Sequence, residues 1–265
     1  WQHHKLKAAV FFSCLFSFQL ATARDFNFCK TTINNVSSGL TSATQTWIGS
    51  SKLKRIDMSI KLYGMTYSNY YNMVKAAMIE KGIEYEEVHV LPNQEADFLS
   101  HSPMGKVPCL ETDQGFLTES GVMLDYIEAI GTGASLYPAD AWQKAKAQEL
   151  IRYLELYIEL PGRRLYGDVF FEKPAPDSVK ADVKAALEKG FTALAKIAKY
   201  DPWLAGKDFG YADLYFLYSV SVVARVCRAT WDWNVMEQYP EMKDLIARIK
   251  ERDSVKKVTE DQAAG

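Results

Sequence analysis

Residues 105–120 read GKVPCLETDQGFLTES. Two short β-like runs, 107–112 and 116–118, flank an Asp-Gln-Gly turn, and together they predict a tight antiparallel hairpin. Pro108 has no N–H to give to a ladder, so it belongs at a strand edge, at the mouth of the first run. Glu119 and Ser120 stand where an apolar-periodic stretch, 120–130, begins a helix.

Upstream of this hairpin, residues 60–64 (IKLYG) form a short apolar run ending in glycine. Ser68-Asn69 supplies helix-capping chemistry before apolar positions at Val74, Ala77 and Met78, and Gly82 suits the stop. Residues 85–90 (YEEVHV) read as a second strand and 96–99 as a short helical piece. The order is βαβ, then ββα. A crossover unit demands parallel strands and a tight hairpin demands antiparallel ones. The expected fold is therefore a thioredoxin-like α/β domain with a mixed four-stranded sheet, over residues 58–131.

A linker, GTGASLYP (131–138), follows, and strand signals then vanish. Residues 141–160 read as a helix broken by Pro161-Gly162, and 177–200 as a second. Residues 211–226 are almost continuously apolar but fall short of the roughly 20 needed to span a membrane. With Asp213 and Arg225 in or near its ends, this run reads as a buried central helix. Met242, Leu245, Ile246 and Ile249 mark the last expected helix of an all-α domain, residues 140–260.

The 265 residues are 48% hydrophobic and 24% charged with a net charge of -2, which gives no electrostatic argument for nucleic acid or an anionic membrane. Four scattered cysteines without a C-x-x-C pair support neither a disulfide framework, nor a metal site, nor a two-cysteine redox motif. Residues 1–57 differ in character. Lys5 and Lys7 precede an apolar run, 8–18, in partial imitation of a secretory signal, and a Ser/Thr/Asn/Gly-rich segment follows. The first methionine is Met58, so residues 1–57 are expected to be a leader that is either disordered or not part of the mature domain.

A mixed-sheet domain followed by a helical one suggests a ligand cleft at their junction. A cis Val107–Pro108 bond would turn the N–H and C=O of Val107 outward, ready to pair with an extended peptide; an ordinary trans proline at a strand edge is the alternative. A helix N-terminus with the Ser120 hydroxyl suits a carboxylate, and Glu119 suits an ammonium. Together they describe a receptor for an α-amino-acid end, although Ser120 also reads as a plain helix cap with Glu119 solvated. Lys106 offers a partner for a second carboxylate.

The motifs LYGMTYSN (62–69), SPMGKVPCLE (102–111), TESGVMLDYIE (118–128) and GYADL (210–214) carry a resemblance. On them, the chain from Met58 onward resembles the cytosolic glutathione S-transferases, in particular serine-type, bacterial-like members. The resemblance implies glutathione as co-substrate, with no metal. Val107 would pair with its cysteinyl unit beside a cis Pro108, Glu119 and Ser120 would hold its γ-glutamyl head, and Lys106 or Asn93 its glycine end. Ser68 matches the catalytic serine, with Tyr63 and Tyr67 as alternative hydroxyls. The second substrate, a small apolar electrophile, would lie against Tyr157, Arg164 and Tyr166, with Tyr153, Arg163 and Phe170 as further candidates for the same apolar pocket. A homodimer, a cytoplasmic location and a role in detoxification are further implications; nucleic acid and membrane are not expected as partners. Where the family places Ser or Thr as a helix cap, this chain has Gly210, a departure that touches folding of the central helix. Two other functions stay open: a non-catalytic binding or assembly module, and a glutathione-dependent isomerase, peroxidase or dehalogenase.

The chemistry is modest in scale. A free thiol has a pKa of ~8.5, so only a few per cent is thiolate at neutral pH. Lowering it by about two units needs ~2.7 kcal/mol. One charge-assisted hydrogen bond gives ~1.5–3 kcal/mol and a helix terminus ~0.3–1. A hydroxyl at a helix start is enough.

Overall fold

The computed structural model describes residues 59–264. The expected leader, residues 1–57, lies outside the described residues. The first elements alternate as expected: β1 (Lys61–Gly64), α1 (Asn69–Glu80), β2 (Glu86–His89), α2 (Ala96–His101), β3 (Cys109–Thr112), β4 (Gly115–Leu117) and α3 (Ser120–Ile130). The sheet order is β2-β1-β3-β4, with β1 and β2 parallel and the other pairs antiparallel. Leu62 lies opposite Leu110, and Leu110 opposite Leu117, so one face of the sheet carries its apolar row onto α1 and α3. Strand alternation sends Lys61, Tyr63 and Glu111 to the other face.

Gly64 is required by close approach: a Cβ there would sit 2.3 Å from the Tyr71 ring. The end of β1 can therefore press against the first turn of α1, which brings Ser68 to the top of the sheet. Gly105 has φ 61, and a Cβ there would lie 2.1 Å from the Asn93 carbonyl oxygen. That packing fixes the 92–94 turn against the segment leading into Val107.

The remainder is helical: α4 (Ala141–Tyr153), a π-helical turn (Leu154–Glu159), α5 (Leu160–Arg163), α6 (Tyr166–Phe170), α7 (Asp177–Ile197), α8 (Tyr211–Trp231), α9 (Val235–Gln238), α10 (Pro240–Lys250) and α11 (Asp253–Ala264). Here two expectations fail. Pro161-Gly162 does not break the helix after residue 160. The helix widens to a π turn, in which the Leu160 N–H bonds the Glu155 carbonyl, and Pro161 then falls in the first turn of α5, where no N–H is needed. Nor is the amphipathic run at 242–249 the last helix. α11 follows it, held less by apolar area than by Lys75–Asp261 at 2.7 Å and by Glu80 with Arg252 and Ser254, both at 2.6 Å.

α8 is the buried centre of the helical part, with Tyr211, Leu214, Phe216, Val220 and Val223 fully enclosed. Gly210 opens it without a capping side chain of its own. Asp213 compensates: its carboxylate accepts the Gly210 N–H at 2.9 Å and the Leu204 N–H at 2.8 Å. Among the described residues, no helix is long and apolar enough to cross a membrane.

Candidate functional site

A cleft of about 780 Å³ opens between the sheet end of the first domain and helices α5, α6 and α8. Ser68 lies in its wall as the N-cap of α1. Its Oγ accepts the Tyr71 N–H at 3.3 Å, which leaves the hydroxyl proton uncommitted among the described residues. Asn69, the next residue, ties this terminus to the helical part: its Nδ2 donates to the Tyr218 carbonyl at 3.3 Å and its Oδ1 accepts from Arg163 at 3.2 Å.

Val107, Pro108, Lys106, Glu119 and Ser120 line the same cleft. The Val107–Pro108 bond is cis, and among the described residues neither the N–H nor the C=O of Val107 has a backbone partner. The Ser102 hydroxyl braces the approach, donating to the Lys106 carbonyl at 2.8 Å and accepting the Lys106 N–H at 3.2 Å. The cap of α3 is Glu119 rather than Ser120, and the Glu119 side chain makes no capping bond. Ser120 is the first helical residue, so its N–H and the two after it have no partner within the helix. Glu119 has φ 65, a left-handed conformation that a non-glycine residue adopts at a cost of about 1–3 kcal/mol. This geometry holds a carboxylate beside a helix N-terminus that bears partial positive charge.

Other sequence candidates lie elsewhere. The Tyr63 hydroxyl donates to Glu111 on the opposite face of the sheet, next to His101 and Phe116, and the cleft does not include it. That hydrogen bond, with burial, pushes its pKa up to about 12. Tyr67 lines the cleft but is 74% exposed. Asn93 spends its amide on its own turn, donating to the Leu91 carbonyl and accepting the Glu95 N–H, both at 3.0 Å, and lies outside the cleft wall. Tyr157 packs edge-on to Tyr153, and Arg164 points to Asp182, 3.8 Å away; neither lines the cleft. Tyr166 does.

Of the two arginine candidates, Arg163 lines the cleft and Arg164 does not. Arg163 bonds Glu159 at 2.5 Å, and its guanidinium lies 5.0 Å from the Tyr70 ring centre and 4.9 Å from that of Tyr166. Glu159 is fully buried, and burial raises its carboxyl pKa, opposed by Arg163 and by the Tyr166 hydroxyl at 2.9 Å. Tyr70, Phe171, Val222 and Arg225 also line the cleft, and none of them is a site candidate from sequence, Arg225 being read only as a charge near an end of the central helix. The i, i+3 spacing of Val222 and Arg225 on α8 was the available signal for two of them.

Residues 62–134 match the family profile described as "Glutathione S-transferase, N-terminal domain", and residues 163–262 its C-terminal counterpart. A glutathione S-transferase of Pseudomonas putida is 40% identical over 205 residues, which is 77% of this chain and 93% of that protein. The chain belongs to the glutathione S-transferase family.

Solved glutathione S-transferases share the fold. One from Rhodospirillum rubrum is 25% identical with a TM-score of 0.59, covering 75% of this chain and 91% of that one. Another, from Methylobacillus flagellatus with glutathione bound, is 21% identical with a TM-score of 0.63, covering 76% and 98%. In this chain the start of α1, the Val107–Pro108 edge and the start of α3 line one opening.

Proposed function

We propose that this cleft binds glutathione and that Ser68 activates its thiol for attack on a small apolar electrophile. One observation carries the reading: an uncommitted hydroxyl proton, an unpaired backbone edge and an acid beside a helix N-terminus face a single cavity. Val107 pairs with the cysteinyl unit and Pro108 shapes the edge. Ser120 and the α3 terminus take the γ-glutamyl carboxylate, Glu119 takes its ammonium, and Lys106 takes the glycine carboxylate. Ser68 donates to the sulfur, and the α1 terminus adds its dipole. Glu119 and Ser120 disfavour the non-catalytic module, since a scaffold needs no amino-acid receptor.

Under this reading residues 58–131 are the glutathione-binding domain and 140–260 the domain that supplies the second-substrate wall. The protein works as a cytoplasmic homodimer in detoxification. The test is a glutathione titration with the thiolate's ultraviolet absorbance followed against pH, in the native chain and in Ser68→Ala. A thiol pKa near 6.5 that returns toward ~8.5 in the variant supports the role. An unchanged value removes Ser68 from it.

A further inference from the structure

Five ionisable side chains whose charge bears on recognition line the cleft: Lys106, Glu119, Glu155, Arg163 and Arg225. Glu155 is paired with Arg152, and Arg163 with Glu159. Glutathione carries one ammonium and two carboxylates, which Glu119, Lys106 and the α3 terminus with Ser120 answer. Arg225 is then the cation left over. Among the described residues it makes no ion pair, and its guanidinium lies 5.1 Å from the centre of the Phe170 ring. Phe170, Phe171, Tyr166 and Val222 line the same cleft, on the helical side where the electrophile belongs.

We propose that Arg225 selects an electrophile bearing a carboxylate on a flat, unsaturated body. The ring would lie against Phe170 and Phe171 while the carboxylate accepts two N–H bonds from the guanidinium, whose planar fork matches that geometry. A neutral electrophile of the same shape gains the apolar contact but leaves the exposed guanidinium to solvent. This inference rests on the glutathione-transferring reading above and amends its apolar electrophile to one with an apolar body and a single carboxylate. The reaction is substitution: the glutathione sulfur forms a C–S bond to the carbon bearing chloride, chloride leaves with the electron pair, and the thiol proton passes to solvent.

The test compares a chlorodinitrobenzoate with the matching chlorodinitrobenzamide, which keeps the shape and drops the charge. The native chain should show a KM for the benzoate about tenfold below that for the benzamide, and Arg225→Gln should erase the ratio. Arg225→Lys, which keeps the charge without the fork, should recover part of it. Equal KM values in the native chain, or a ratio unchanged in Arg225→Gln, overturn the proposal. Calorimetric affinities of the two glutathione conjugates give the same comparison without turnover, and a missing preference there overturns it as well. Failure of the underlying reading looks different: glutathione itself does not bind, and neither arene reacts.

Discussion

The Oγ of Ser68 accepts the N–H of Tyr71 at 3.3 Å, so one hydroxyl caps α1 through its lone pair and keeps its proton for a ligand. The two tasks separate by substitution. Ser68→Ala removes both and should lower stability by about 1 kcal/mol and neutral-pH turnover by about tenfold to a hundredfold, with turnover recovering as pH rises toward the free thiol's pKa. Ser68→Asp still caps but cannot donate when ionised. It should keep its denaturation midpoint near the native one while turnover falls at least as far as in Ser68→Ala. Chemical denaturation and a pH–rate profile check both.

Tyr63 provides the contrast. Its hydroxyl is bound to Glu111 across the sheet from the cleft. Tyr63→Phe should leave kcat/KM within about twofold of the native value, because no step on the cleft side uses that group. A fall comparable to that of Ser68→Ala would return Tyr63 to the chemistry.

These two residues show what a linear reading delivers. The cap chemistry at Ser68 is local and follows from short-range rules, whereas Tyr63 stands among the expected hydroxyls although alternation about buried Leu62 turns it to the opposite face. Helix α3 spans Ser120–Ile130 as its apolar spacing predicts. The second-substrate wall was harder to read. A π turn at Leu154–Glu159 adds to the residues per turn and rotates all that follows, so Arg163 rather than Arg164 reaches the cleft. Periodicity counted at 3.6 residues per turn carries no sign of that shift. Helix α11 escaped for another reason: its core-facing pair is only Val255 and Val258, and ion pairs to α1 hold the rest.

Glu119 carries its acid on a left-handed backbone, φ 65. Glu119→Gly removes that strain, while glycine's greater freedom in the unfolded chain offsets the gain. Stability should therefore stay within about 1 kcal/mol of native. The ammonium partner is lost, and glutathione affinity should fall about tenfold or more. Calorimetric titration alongside thermal unfolding separates the two effects.

Glu159 is enclosed, and Arg163 depends on it for charge balance. Glu159→Ala leaves that guanidinium, 39% exposed, with Asn69 and solvent as its partners, at a cost of about 1–3 kcal/mol. Tyr166 loses its acceptor at the same time, so the cleft wall should loosen. Denaturant unfolding should show the destabilisation, and the KM for an electrophile should rise more than the KM for glutathione.

Asp213 makes stability depend on pH. Burial raises its pKa from 3.8 to about 6, against the Leu204 and Gly210 N–H groups that favour its ionised form. The unfolded chain releases this proton near 3.8 while the native chain holds it to about 6. Between those values the native state binds more protons, and this group's contribution falls as pH rises, by about 1 kcal/mol per unit. Asp213→Asn cannot titrate, so the difference in unfolding free energy between it and the native chain should follow that slope from about pH 4 to 6 and level off above. At neutral pH the variant should still be the less stable by about 1–3 kcal/mol, because an amide offers one acceptor oxygen where the Leu204 and Gly210 N–H groups call for two. A difference that stays flat across the window would mean that the two N–H bonds outweigh burial and hold Asp213 ionised throughout.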